Sequence, residues 1–149
     1  MSRPGSLYQA VVLAHNREPR NQGRLAEPTH RVHAHNPLCG DELELFLRVE
    51  GGRLVEVAFD GEGCAIATAS ASIMSEALKG RPLSEAEGVL ARFRALLAGQ
   101  QVVSSPDGED DPLLVLAGVR AYPARIKCAN LPWQAFQAAL AGQGEATTE

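Results

Sequence analysis

The chain has 149 residues, of which 45% are hydrophobic and 21% charged, and a formal net charge of −4 at pH 7. This size supports one ordinary core rather than two, so residues 1–149 are read as a single domain, globular rather than disordered, with an ordered core over about 7–140. The acidic balance leaves no basic field for nucleic acid or anionic lipid, and no apolar run reaches the length of a membrane span.

The N-terminal stretch "MSRPGSLYQAVVLAHNREP" has only a short apolar patch and no small-residue cleavage site, so no signal peptide is expected and the default setting is the cytoplasm. Ser6 reads as the cap of a first helix over residues 7 to 16, which Pro19, Asn21 and Gly23 end. Residues 20 to 37, rich in Pro, Asn, Gly and His and without periodicity, read as a long loop. Then Leu43, Leu45, Leu47 and Val49 alternate with polar neighbours, Gly51-Gly52 makes a tight turn, and Val55, Val57 and Phe59 alternate again. This is an antiparallel hairpin with one apolar and one mostly solvated face.

A helix over about residues 68 to 78 follows, with small residues that let another backbone approach, then Gly80 as C-cap and Pro82 as a stop. Ser84 and Glu87 have capping-box spacing for a third helix carrying Val89, Leu90, Phe93, Leu96 and Leu97. Residues 100 to 112 read as an acidic loop, and 113 to 116 as a helical turn. The last helix carries Trp133, Phe136 and Leu140 on one face, with Pro132 in its first turn. Residues 141–149 read as a flexible tail.

Three cysteines, an odd count, do not make a secreted disulfide scaffold; in a reducing setting they are free, metal-bound or catalytic. Each sits at the edge of an element: Cys39 in the turn "NPLCGD", Cys64 after a Gly-x-Gly turn, Cys128 where the last helix opens. Zinc takes four ligands from thiolate, imidazole and carboxylate, so three cysteines leave one place. Asp41, two residues past Cys39, is the nearest candidate, and a carboxylate beside thiolates makes most sense around a cation. The same set suits iron–sulfur chemistry. No C-x-x-C knuckle is present, and spacing alone leaves a metal site and three unrelated buried thiols equally open.

His30, His33 and His35 are candidate extra ligands or proton carriers, but a polar loop favours reading them as solvated. Arg125 and Lys127 precede Cys128 and would favour sulfur anions there; apart from the cysteine they read as a solvated basic strand. Trp133 reads as core. Ser70 and Ser72 lack the G-x-S-x-G elbow of a hydrolase.

Taken together, "NPLCGD", "FDGEGCAIATASASIMSEALKG" and "PARIKCANLPW", in that order and after "HNREPRNQG", closely resemble the U-type iron–sulfur assembly proteins: the family of IscU, the NifU N-terminal domain and SufU. The resemblance runs from about residue 7 to residue 140. Within the family the chain is most similar to SufU. Lys127 stands where IscU has a histidine before its last cysteine, the stretch between Cys64 and Cys128 is longer, and "YPARIKC" replaces the "LPPVK" chaperone segment.

The resemblance implies an α/β (α+β) sandwich in which a small antiparallel sheet is packed on one side by helices. It implies zinc held by Cys39, Asp41, Cys64 and Cys128, and sulfur accepted from a PLP-dependent cysteine desulfurase of the SufS type for a downstream Suf-type cluster scaffold. In SufU-like systems a desulfurase histidine replaces one zinc ligand on docking. Cys39, in a turn after Pro37, is the expected persulfide acceptor, with Cys128 the second choice and Arg125 in support. The alternatives are a [2Fe–2S] assembly scaffold on the same ligands, or an allosteric activator of the desulfurase in which zinc is structural.

Overall fold

The structure is a computed structural model that describes residues 4–37, 40–99 and 112–147. Cys39 and the acidic stretch 100–111 lie outside the described residues. Helix α1 (Pro4–Arg17) leads to β1 (His30–Asn36), β2 (Asp41–Glu50), β3 (Arg53–Glu62), α2 (Ala65–Leu78) and α3 (Leu83–Leu97). A short α4 (Pro112–Leu116) and two 3-10 turns (Ala117–Ala121 and Pro123–Arg125) then lead to α5 (Ile126–Leu140) and β4 (Glu145–Thr147). Among the described residues no helix is long and apolar enough to cross a membrane.

The sheet order is β3-β2-β1-β4, antiparallel except for the parallel pairing of β4 with β1. Leu43, Leu45 and Leu47 face the helices, as their alternation requires, and join Val32, Ala34, Val57 and Phe59 in one core with Ile73, Met74, Phe93, Trp133 and Phe136. The Gly51-Gly52 turn holds φ of +59° and +75°, the double left-handed geometry of a tight hairpin that only glycine adopts cheaply. Trp133 is buried as expected, stacked on Phe93 at 4.4 Å, with its indole N–H donating to Ser70 Oγ at 3.0 Å.

Several boundaries differ from the sequence reading, each for a physical reason. Part of the expected loop is strand β1: its inward positions are only Val32, Ala34 and Asn36, too small and too few to give a hydrophobic signal among three histidines. The register slips between Arg48 and Val49, pairing Val49 with Leu54, so Leu54 rather than Val55 enters the core. The outer face is not wholly solvated. Phe46 points there, yet it is buried under the Arg24 and Arg31 guanidiniums, 5.0 and 5.5 Å from its ring centre.

Helix α1 starts at Pro4, before Ser6. Helix α3 uses no Ser84 cap; it starts at Leu83, whose N–H donates to the Gly52 carbonyl at 2.9 Å. Pro132 lies inside α5 rather than in its first turn. The tail is not wholly flexible, since β4 covers the edge of β1 and the His33 N–H donates to the Gly144 carbonyl at 2.9 Å.

Helix α1 is fastened to α2 by a buried polar knot. His15 Nδ1 lies 2.7 Å from Ser72 Oγ, the Arg20 backbone N–H donates to the same oxygen at 2.8 Å, and Arg20 Nη1 lies 2.8 Å from His15 Nε2. Burial, and then the neighbouring Arg20 charge, hold the His15 pKa below its ordinary 6.5. A depressed histidine adds stability above the unfolded-state pKa, and that stability is lost as pH falls through the folded value. Stability of the wild type in chemical denaturation should therefore fall progressively below about pH 6.5, and His15→Gln should show a flatter profile over the same window.

Candidate metal centre

The two central strands end on polar residues. In β1 the inward series Val32, Ala34 continues to Asn36, and in β2 the inward series starts at Asp41 before Leu43; the two are cross-strand partners. Both face the helix layer, and they are only 1% and 3% exposed. A buried amide and a buried carboxylate need partners. Asn36 Nδ2 donates to Cys128 Sγ at 3.7 Å. Asp41 Oδ1 accepts from the Cys64 backbone N–H at 2.9 Å, and its Oδ2 lies 3.8 Å from Cys64 Sγ.

Each of the two described cysteines belongs to a helix start. Cys64 is the N-cap of α2, with extended φ of −68° and ψ of 168°, and its sulfur takes the acceptor place of a capping side chain, receiving the Ala67 N–H at 3.4 Å. Cys128 sits in the first turn of α5 and is fully buried. Pro132, four residues on, has no N–H to offer the Cys128 carbonyl. Ser70 holds the two helices together by donating to the Ala129 carbonyl at 2.5 Å. Ser70 and Ser72 are thus structural, with no role in a hydrolytic site.

Asp41, Cys64 and Cys128 converge: one ligand atom from each lies within 4.8 Å of the others. A tetrahedral zinc at about 2.3 Å from sulfur and about 2.0 Å from oxygen sets those two ligands roughly 3.5 Å apart. The 3.8 Å between Cys64 Sγ and Asp41 Oδ2 is close to that, so the donor chemistry and spacing both fit such an ion. Cys39 lies outside the described residues, but the residues flanking its turn are Asn36 and Asp41, and the Gly40 N–H donates to the Asn36 carbonyl at 2.9 Å.

The remaining candidates separate cleanly. His33 and His35 are exposed on the opposite face of the sheet, and no histidine joins the converging group among the described residues. Arg125 is exposed at the start of α5, and Lys127 is half-buried.

Sequence reasoning missed Asn36 and Tyr8. The first was legible as the third inward position of β1, had the strand been seen. The second lies on the apolar stripe of α1 with Val11 and Val12, and packs against Ala69 of α2 and Ala129 of α5.

Residues 7–143 match the NifU-like N-terminal domain family. The chain belongs to that family. It is 38% identical over 136 residues to the zinc-dependent sulfurtransferase SufU of Bacillus subtilis, covering 91% of this chain and 90% of that protein. It is 36% identical over 141 residues to the iron–sulfur cluster assembly scaffold protein IscU of Streptococcus pyogenes, covering 94% and 86%. The crystal structure of a putative iron–sulfur cluster assembly scaffold protein for the SUF system from Fervidobacterium islandicum superposes with a TM-score of 0.81 at 28% identity, over 90% of this chain and 96% of that one. The α+β sandwich expected from the resemblance is thus present, with β4 as an added parallel edge.

In this NifU-like fold, Gly61 fixes how the β2 start meets the β3 end. It pairs with Leu43 at φ +136°, and a Cβ there would lie 2.3 Å from the Glu42 carbonyl oxygen. Gly61→Ala combines a backbone clash with a strained φ, and should cost about 2 kcal/mol or more. Thermal melts should show Tm lower by roughly 4–8 °C.

Proposed function

We propose that this protein is a zinc-dependent sulfurtransferase of the SufU type, which takes persulfide sulfur from a SufS-type cysteine desulfurase and passes it to a downstream Suf-type cluster scaffold. The observation that carries the reading is the convergence of Asp41, Cys64 and Cys128 within 4.8 Å, at the mouth of the turn that contains Cys39. The similarity to the Bacillus subtilis sulfurtransferase supports it. A cytoplasmic setting belongs to the same reading, because the chemistry needs free thiols in a reducing compartment.

Cys39, Asp41, Cys64 and Cys128 would hold the ion. Bound there, zinc keeps its thiolates deprotonated at neutral pH and offsets the charge of a carboxylate placed beside sulfur. Asp41 is braced by the Cys64 N–H and Cys128 by Asn36, so these ligands sit on rigid elements. Cys39 follows Pro37 in the segment that joins β1 to β2, and in this reading it is the ligand most readily released. Its thiolate attacks the outer sulfur of the desulfurase's cysteine persulfide. A new S–S bond forms to Cys39 as the partner's S–S bond breaks, and the partner cysteine leaves as thiolate, with no net oxidation. Cys128, fully buried, is the less accessible acceptor. Arg125 is exposed beside this corner and supplies a cation for the developing persulfide anion.

The second reading, a [2Fe–2S] scaffold on the same residues, is supported by the similarity to IscU proteins, and it predicts a coloured protein. Aerobically purified protein should carry about one zinc per chain and no visible charge-transfer band. With the cognate desulfurase and cysteine, mass spectrometry should find a persulfide on the wild type and none on Cys39→Ala; undiminished persulfide in that variant would sink the acceptor assignment. Asn36→Ala removes the outer hydrogen bond to Cys128. It should weaken zinc about 10–100-fold in chelator competition while leaving the fold intact by circular dichroism.

A further inference from the structure

Tyr8 and Asn130 each carry a buried side-chain oxygen without a hydrogen-bond partner among the described residues, and of the two Tyr8 brings a donor to the thiol corner. It is 5% exposed, and among the described residues its hydroxyl has no hydrogen-bond partner. Its ring packs in a cluster with Val12 of α1 and Val119 of the first 3-10 turn, and with Ile66 and Ala69 of α2 and Ile126 and Ala129 of α5. These are the opening turns of the two helices that present Cys64 and Cys128. The ring is fixed from two more sides. Tyr122 stacks on it at 5.7 Å, and a Cβ built on Gly118 would lie 3.1 Å from its Cδ1, so glycine there makes room for it.

Packing alone would be served by phenylalanine. A buried hydroxyl without an acceptor is destabilising, and a native structure that keeps one calls for a reason, of which a group bound in the working state is one. The phenol shares its cluster with Ile66 and Ala69, just after Cys64, and with Ile126 and Ala129, on either side of Cys128. Burial first, then Tyr122 and Cys64, raise its pKa to about 12, and Arg125 only partly opposes this. At neutral pH it therefore keeps its proton and is a hydrogen-bond donor. Besides the Asp41 carboxylate, which already accepts from Cys64, the acceptor chemistry of this corner is anionic sulfur.

We propose that Tyr8 is a positioning residue whose O–H donates a hydrogen bond to the sulfur anion carried by the site in its loaded state. This rests on the sulfur-transfer reading above. The anion has two sources, a zinc-bound thiolate or the terminal sulfur of the persulfide, and the test separates them.

Tyr8→Phe deletes the hydroxyl and keeps the ring. Tm is measured for wild type and variant as reduced metal-free protein, as zinc-loaded protein, and as zinc-loaded protein persulfidated by desulfurase and cysteine. The metal-free variant should melt at or above the wild type, because an unsatisfied group is gone. The gain in Tm on loading should be smaller in the variant by about 3 °C or more. A deficit that appears with zinc alone assigns the thiolate; one that appears only after persulfidation assigns the terminal sulfur. Tyr8→Leu, which removes the ring as well, is the packing control and should lower all three forms alike. If Tyr8→Phe also lowers all three forms equally, or changes none, the proposal is overturned while the sulfurtransferase reading stands. A wild type that takes up zinc but never persulfide overturns that reading, and the thiolate arm still decides the role of Tyr8. A wild type that takes up neither overturns both.

Discussion

The bond from the Cys64 N–H to the Asp41 carboxylate is the constraint on which this corner depends. It ties the first residue of β2 to the residue that caps α2, across the β2–β3 hairpin. A carboxylate 3% exposed would be costly in a purely apolar layer. Here one oxygen takes a helix-end N–H and the other faces a sulfur. Both oxygens have a partner, but the second has only a thiol at 3.8 Å, and the two thiols next to the carboxylate add potential negative charge. A cation resolves both problems together, by neutralising the carboxylate and by giving the sulfurs a reason to converge. The site is therefore a fold-imposed demand for positive charge.

The rest of the molecule serves to hold that demand in place. Strands β1 and β2 deliver Asn36 and Asp41 as cross-strand partners on the helix side of the sheet. Helices α2 and α5 deliver Cys64 and Cys128 from their first turns, and Ser70 and Trp133 lock those helices to each other. Every ligand placed in the structure thus comes from the end of a regular element, where direction is set by backbone geometry. Cys39 falls in the segment between β1 and β2, and the proposed reading asks it both to bind and to let go.

How much of this could be read from sequence depended on how strongly each feature departs from background. The hairpin was legible because Leu43, Leu45 and Leu47 repeat at period two and Gly51-Gly52 admits few other readings. The convergence of Asp41, Cys64 and Cys128 was legible from three short motifs, although spacing alone was indecisive; Cys39 lies outside the described residues. Strand β1 was not, since Val32 and Ala34 bury little area between His33 and its neighbours, and strand pairing with β2 stabilises it more than its own propensity does. The start of α3 was misread because a hairpin carbonyl, that of Gly52, satisfies the helix end in place of Ser84. Such long-range satisfaction leaves no local signature. Asn36 was hidden for the same reason: its partner is 92 residues away.

Helix α1 sharpens the argument about what is missing from the protein alone. It presents two buried polar side chains, His15 and Tyr8, about two turns apart on one helix. His15 is saturated: Ser72, Arg20 and the loop backbone enclose it, and the result is an anchor. Tyr8 is buried as well, yet among the described residues its hydroxyl has no partner and its ring packs on apolar side chains beside the thiol corner. If burial of polar groups on α1 were simply tolerated, both would be left unsatisfied; if it were simply avoided, neither would be there. One bonded and one open hydroxyl on the same helix instead divide the labour. The far end of α1 fixes the helix on the body of the protein, and the near end keeps a proton aimed at a partner that arrives only when the site is loaded.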